Sequence, residues 1–271
     1  MDWAGREDSP AGRTVLVEVL ERLADAGQLV RVDRLAARPA RSCQPSRPLP
    51  EALAGRLPPG GLWSHQAAAL DQVRAGRSTV IATGTSSGKS LCFQLAVAES
   101  ARSRPPGTAL LLYPTKALAQ DQLRSFTALA LPGVVCAAYD GDTEPDDRAW
   151  ARRNANVILT NPDMLHLGIL PNHEQWASFL SRLRYVVVDE LHTLRGIFGS
   201  HVAHVLRRLR RLCARYGSFP TFVGASATLG QPSRLASALA GLDVAEVSDD
   251  GSPLGERLLA LWNPPLLDPA R

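Results

Sequence analysis

Val80-Ile81-Ala82-Thr83-Gly84-Thr85-Ser86-Ser87-Gly88-Lys89-Ser90-Leu91-Cys92 is the stretch that decides the fold. Its first residues read as a buried strand, its Gly- and Ser-marked middle as a loop, and Gly88-Lys89-Ser90 as the opening of a helix. In that order the backbone N–H groups of the turn and the positive end of the helix dipole converge on one point, as a phosphate requires. Lys89 adds a mobile cation for the β- and γ-phosphates, and the Ser90 hydroxyl a ligand for Mg²⁺. The general pattern has glycine at the first loop position, where this chain has Thr83, with Gly84 one place later. Taken alone, the segment also reads as an ordinary Gly/Ser turn between a strand and a helix.

A second segment weakens that plainer reading. Tyr185-Val186-Val187-Val188-Asp189-Glu190-Leu191-His192 is an apolar, β-branched run that ends in two adjacent carboxylates. Unbroken apolar residues suit a central parallel strand buried on both faces, and ligands bind at the carboxyl ends of such strands. Asp189 is placed to hold Mg²⁺ through water, and Glu190 to orient and deprotonate an attacking water. Lys89 and Asp189 stand 100 residues apart, so the two segments belong to different strands of one sheet.

The rest of the chain agrees with an α/β domain. Among 271 residues, 45% are hydrophobic, enough for a sizeable core and too many for wholesale disorder. A net charge of +4, from 30 basic against 26 acidic residues, leans only weakly toward an anionic partner. Cys43, Cys92, Cys136 and Cys213 stand far apart with no C-x₂-C pair, which offers neither a zinc knot nor a disulfide framework and suits a reducing compartment. The N-terminus lacks a secretory pattern, and no apolar run approaches the roughly 18 residues that span a bilayer. The expected location is cytoplasmic, with no membrane partner.

Residues 13–27 carry Val15, Val19, Leu20 and Leu23 at helical spacing, with Gly27 as C-cap, and Leu29-Val30-Arg31-Val32 reads as a short strand. The proline-rich stretch from Pro39 to Pro59 reads as a strap over the main domain or as a linker. From about residue 60 the rhythm becomes strand, loop, helix. Strands are predicted at 78–83, 108–113, 134–139, 156–160, 184–189 and 220–225, and helices at 64–75, 89–101, 116–130 and 199–216. That alternation implies a mostly parallel sheet with helices on both faces. The expected division is an N-terminal extension over 1–60, an α/β domain over 61–250 and a crossing segment over 251–271.

Further motifs fall at the predicted strand ends. Gln66, in Leu62-Trp63-Ser64-His65-Gln66, can present a donor and an acceptor to an adenine edge, while Trp63 either stacks on the base or packs in the core. Pro114-Thr115-Lys116 and Thr160-Asn161-Pro162-Asp163 precede helix starts that can hold nucleic-acid phosphates. Ser226-Ala227-Thr228 places two hydroxyls beside the acidic pair. His201 and His204 share a helix face, yet no third ligand completes a metal site, and Arg207, Arg208, Arg210, Arg211 and Arg215 read as a solvated basic face.

This series resembles the first RecA-like domain of a superfamily 2 helicase. Gln66 resembles the Q-motif glutamine, Thr83 to Ser90 motif I, and Pro114-Thr115-Lys116-Ala117-Leu118 motif Ia. Gly141-Asp142-Thr143 and Thr160-Asn161-Pro162-Asp163 resemble the strand-gripping motifs, Asp189-Glu190-Leu191-His192 a DExH motif II, and Ser226-Ala227-Thr228 motif III. The wording Thr-Gly-Thr-Ser-Ser-Gly-Lys-Ser, Tyr-Pro-Thr-Lys-Ala-Leu-Ala and Phe-Gly-Ser-His is similar to RecQ-related DEAH helicases of the MrfA type, their actinobacterial members above all, over residues 13–267. The resemblance implies an ATP- and Mg²⁺-dependent DNA helicase, in DNA repair, that moves on single-stranded or partly duplex DNA. It also implies that Gly141, Asp142 and the Ia and Ib residues touch nucleic acid, and that His192, Ser226 and Thr228 couple nucleotide state to that grip.

The family's second RecA-like domain has no counterpart after Thr228, where no Q-x-x-G-R-x-x-R segment follows. An arginine finger from such a domain is worth about 10³–10⁵ in rate, so this chain alone is expected to bind ATP–Mg weakly and to hydrolyse almost none, unless a partner chain supplies that domain. The alternative class is a catalytically silent module that binds nucleotide and nucleic acid and regulates another protein. A P-loop enzyme of small-molecule metabolism fits less well, because the Ia, Ib and III segments have no use there.

Overall fold

A computed structural model describes residues 18–24, 28–227 and 230–264. The chain divides into two compact units, one over Arg41–Ser252 and one over the residues on either side. The larger unit is built on a seven-stranded sheet of β2 (Thr79–Ala82), β3 (Thr108–Leu112), β4 (Cys136–Ala138), β5 (Val157–Thr160), β6 (Leu183–Val188), β7 (Thr221–Ser226) and β8 (Ala245–Val247). Its order is β4-β5-β3-β6-β7-β2-β8, and every pairing is parallel. The connections carry α1 (Ser64–Arg74), α2 (Lys89–Ala101), α3 (Lys116–Leu129), α4 (Pro145–Asn154), α5 (Gly196–Arg215) and α6 (Pro232–Ala240). This is a RecA-like arrangement.

The inner strands are mostly apolar and buried along their length because both faces of the sheet are covered. Val80, Leu110, Leu112, Ile158, Val186 and Val188 join Leu206 and Leu209 of α5 and Leu239 of α6 in one core. The alternate residues Ile81, Leu111, Leu159 and Val187 join Leu70 of α1, Phe93 of α2 and Phe126 of α3 in the other. Each such Leu or Val, fully buried, contributes about 1.5–3 kcal/mol, so the two-residue period of the strands fixes which helix covers which face.

The predicted strands and helices coincide with the observed ones to within a few residues. Several elements were not anticipated, among them strands β8 and β9 (Arg257–Trp262), the short helical turns at Glu51–Ala54 and between Pro162 and Leu180, α4, whose sequence is too polar for an apolar stripe, and α6, which is only nine residues long. Helices α4 and α6 nevertheless start with proline in the first turn, and α4 carries Asp146 and Asp147 early and Arg152 and Arg153 late, in accord with the helix dipole.

The proline-rich stretch belongs to the larger unit from Arg41 onward, so it does not group with residues 1–40. Ser42 pairs with Trp63 in an isolated bridge, the Ser46 N–H and hydroxyl donate to Asp71, and Arg74 donates to the Arg47 carbonyl. Leu53 is fully buried in the core beneath α1. These contacts make the segment a strap.

In the smaller unit residues 18–24 are helical, and β1 (Leu29–Leu35) pairs antiparallel with β9 (Arg257–Trp262). The Trp262 indole N–H donates to Gln28 at 3.1 Å, and Arg34 pairs with Glu256 at 3.0 Å. The predicted C-cap Gly27 lies outside the described residues. No helix among the described residues is long and apolar enough to cross a membrane.

Candidate functional site

The sheet order brings the two chemistry-bearing segments to one edge. β7 lies between β2 and β6, so the loop after β2 and the acids after β6 flank the end of β7. Register completes the alignment: Ala82 stands opposite Ser226, Gly224 opposite Val188, and Val188 opposite Leu112.

The loop from Thr83 to Ser90 is fixed by its own side chains. Ser87 Oγ donates to the Gly84 carbonyl at 2.7 Å, so the Thr83 hydroxyl, 2.6 Å away, donates to Ser87. Thr83 is buried, and its hydroxyl replaces with a cross-link the freedom that glycine would bring. Thr85 and Ser86 are exposed at the tip, and Ser86 holds a left-handed φ of 59°, a strain of about 1 kcal/mol or more. Gly88 has φ 64°, and a Cβ there would meet Gln66 Nε2 at 2.6 Å and the Trp63 ring at 3.1 Å. Only glycine fits. Lys89 Nζ donates to the Gly84 carbonyl at 2.7 Å and to Thr83 at 3.2 Å, while Ser90 is half-buried in the first turn of α2.

Gln66 braces the loop from the start of α1. It is buried, its Oε1 accepts from the Trp63 N–H at 2.9 Å, and its Nε2 donates to the Gly88 carbonyl at 3.0 Å. Its amide links the start of α1 to the phosphate loop and keeps one Nε2–H and one Oε1 lone pair unused by these two bonds. Trp63 is half-buried, with its ring centroid 6.0 Å from that of His65.

Asp189 continues the β6 ladder, its N–H bonded to the Leu112 carbonyl at 3.0 Å. Burial pushes its carboxyl up to about 6; the neighbouring Glu190 charge adds to this, while the Glu190 N–H bond and the Lys89 ammonium oppose it. Lys89 thus acts electrostatically on Asp189 across the sheet edge. Glu190 takes a left-handed φ of 49°, which turns the chain into a 3₁₀ turn over Leu191–Thr193 and sets the Glu190 carboxylate 3.2 Å from His192 Nδ1. Ser226 Oγ lies 3.4 Å from the same nitrogen, so His192 joins the second acid to the end of β7. Thr228, the other predicted hydroxyl, lies outside the described residues.

The predicted nucleic-acid residues divide into surface and interior. Lys116 and Asp142 form an exposed ion pair at 2.5 Å beside Gly141, and the Asp142 carboxylate holds the ammonium above its ordinary pKa. Thr115 caps α3 by accepting from the Leu118 N–H, Asn161 accepts from the Met164 N–H at 2.7 Å, and Asp163 is exposed. Pro114 is half-buried. Thr160 is buried with its hydroxyl donated to the Tyr139 carbonyl at 2.5 Å, and Pro162 is buried as well. Those two side chains hold the sheet edge together and present no surface to a strand.

A further group was not legible in the sequence. His65 Nε2 lies 2.9 Å from the Ser87 carbonyl, and the Gly251 N–H donates to His65 Nδ1 at 3.2 Å, so the Nε2–H tautomer satisfies both. Asp250 accepts from the Gly84 N–H at 3.2 Å and from Ser252 at 2.8 Å, and Arg41 clamps Asp249 with both terminal nitrogens. Residues 249–252 therefore buttress the phosphate loop from outside. No local motif marks them.

The basic run of α5 is partly structural. Arg207 donates to the Ala238 carbonyl, and Arg210 to Ala240 and Gly241, so both cap the end of α6. No group of three metal-ligating side chains occurs among the described residues.

Comparison with known proteins identifies the family. The DEAD/DEAH box helicase family matches residues 63–235. The ATP-dependent helicase HRQ1 of Saccharomyces cerevisiae is 48% identical over 213 residues, covering 76% of this chain and 20% of that protein. The uncharacterized ATP-dependent helicase YprA of Bacillus subtilis is 40% identical over 263 residues, covering 93% of this chain and 35% of that protein. The structure of the DUF1998 helicase MrfA bound to DNA superposes with a TM-score of 0.88 at 39% identity over 93% of this chain and 37% of MrfA. MrfA with DNA and AMPPNP gives 0.87 at the same identity, over 93% of this chain and 36% of that one. The chain thus spans between about a fifth and two fifths of the length of these relatives. By the family match over residues 63–235, more than half of its length, this chain belongs to the DEAD/DEAH box helicase family.

Proposed function

We propose that the chain is the ATP- and DNA-binding first motor domain of an ATP-dependent DNA helicase, of the MrfA type, that works in DNA repair in the cytoplasm. The observation that carries this reading is the sheet order, which brings Lys89 after β2 and Asp189 and Glu190 after β6 to the carboxyl edge of one parallel sheet, on either side of β7. The relatives named as helicases, and the DNA in the MrfA structures, support it.

In this reading the loop from Thr83 to Ser90 cradles the triphosphate, with backbone N–H groups at its turn and Lys89 released from the Gly84 and Thr83 carbonyls onto the β/γ-phosphates. The Ser90 hydroxyl and Asp189 carboxylate are hard oxygen donors and fit Mg²⁺, which when bound neutralises charge on the phosphates. Glu190 orients the attacking water and takes its proton; His192 holds Glu190 and relays its position to Ser226. Gln66 sets the loop from behind. Lys116, Thr115, Gly141, Asn161 and Asp163 line the surface offered to single-stranded or partly duplex DNA, and Asp142 yields Lys116 to a phosphate. A second RecA-like domain, from a longer form of this protein or a partner chain, completes the ATP cleft.

Titration with a fluorescent ATP analogue tests the assignment. Lys89→Ala is expected to lower affinity at least 100-fold, while Glu190→Gln keeps affinity within threefold and removes residual hydrolysis. Parent-like affinity in the Lys89 variant would sink the proposal.

A further inference from the structure

A cleft of about 640 Å³ opens between α5 and α6, away from the phosphate loop, and nothing in the proposed motor chemistry uses it. Its floor is aliphatic, made by Leu194, Ala203, Leu235 and Leu239. Its rim is cationic: Arg195, Arg207 and Arg234 stand around it beside His204, and no carboxylate lines it among the described residues. Among the described residues none of these four takes part in an ion pair. Arg207 is held at the rim by the Ala238 carbonyl at 2.9 Å, and Arg234 by the Gln231 side chain at 3.3 Å. These contacts fix the guanidinium groups without neutralising them. Outside the cleft, on the first turn of α5, Ile197 is 82% exposed, an apolar surface that a solvated helix end has no use for.

We propose that this cleft docks an acidic amphipathic polypeptide segment, with aliphatic side chains on the floor and carboxylates on the arginine rim. Charge complementarity selects the sign of the partner, because three guanidinium groups without a counter-charge favour a carboxylate-bearing chain and steer its approach. The aliphatic floor selects the class. A groove between two helices, apolar below and charged at its edges, is the shape that takes an amphipathic helix by anchors at i, i+3 or i+4 and i+7. A nucleic-acid strand fits less well, since among the described residues no Phe, Tyr or Trp lines the cleft for bases to stack on. The assignment is independent of the nucleotide site.

Peptide-phage selection against the chain, followed by fluorescence anisotropy of the enriched peptide, tests it. Enriched sequences are expected to carry Asp or Glu among Leu, Ile or Phe at helical spacing. Affinity is expected to fall at least tenfold in an Arg195→Glu/Arg234→Glu variant, both positions being exposed, and also in Ala238→Trp, which fills the groove without changing charge. Unchanged melting temperatures confirm that the variants fold. Absence of enrichment, enriched peptides without carboxylates, or affinities indifferent to both variants would each overturn the proposal. So would a tenfold loss of affinity for a 15-nucleotide DNA strand in the charge-reversed variant without loss of peptide binding, which reassigns the cleft to nucleic acid.

Discussion

His65 and Gly251, 186 positions apart, share a buried hydrogen bond of 3.2 Å, and the opposite nitrogen of the same ring reaches the Ser87 carbonyl. One imidazole thereby ties the phosphate loop to the segment that follows β8. Asp250 ties it a second time, at Gly84. Both ends of the loop are held by a piece of chain that has no sequence motif.

Removing the Asp250 carboxylate leaves the N–H groups of Gly84 and Ser252 without their acceptor, at about 1–3 kcal/mol for each group that stays buried. Asp250→Ala is expected to lose about 2 kcal/mol in urea denaturation and about tenfold in ATP affinity. Asp250→Asn, which keeps one acceptor oxygen, is expected to fall between that variant and the parent.

The Asp189 carboxyl is raised to about 6, so between its unfolded value near 4 and that figure the native state binds the extra proton. This group therefore stabilises the fold most below pH 4, and its contribution declines as pH rises to 6. Asp189→Asn is expected to remove the decline, gaining about 1–3 kcal/mol on the parent between pH 4.5 and 7.5. Denaturation curves at the two pH values read this directly. The same titration implies that Mg–nucleotide affinity of the parent weakens as pH falls through 6; a flat profile would contradict the buried placement of Asp189.

Gly88 combines φ 64° with a Cβ position 2.6 Å from Gln66 Nε2. Gly88→Ala is expected to cost at least about 1–2 kcal/mol from backbone strain alone and more from displacing Gln66. Nucleotide affinity and denaturation midpoint fall together; a variant that loses neither would show that the loop has another conformation.

The Tyr113 hydroxyl is buried with no hydrogen-bond partner among the described residues, and burial raises its pKa well above the ordinary value. Removing a buried donor that nothing accepts relieves a desolvation penalty. Tyr113→Phe is expected to raise stability by up to about 1 kcal/mol, seen as a higher melting temperature in calorimetry. A drop of similar size would reveal a partner for the hydroxyl.

Those parts of the fold whose cause is local were legible in the sequence. The runs Val80-Ile81 and Val186-Val187-Val188 announced strands buried on both faces, and Gly88-Lys89-Ser90 announced the helix start. α4 was hidden because a helix that buries only Ala151 shows no apolar stripe. Gln66 and Thr160 carry motif identities that point to ligands, but the direction of their amide and hydroxyl depends on Gly88 and Tyr139, remote in sequence. The brace of His65, Asp249 and Asp250 was invisible for the same reason, since its partners are set by the sheet order and not by spacing.

Gly224 sits in β7 between Val80 and Val188, and a Cβ there would come within 2.8 Å of Leu191 and 3.2 Å of Val80. A slip of β7 by one place would push Val223 or Ala225 into that gap and collide with the turn that carries the second acid. The missing side chain works as an alignment notch: it lets β7 seat in a single position, and in doing so it measures out how far Ser226 stands from His192.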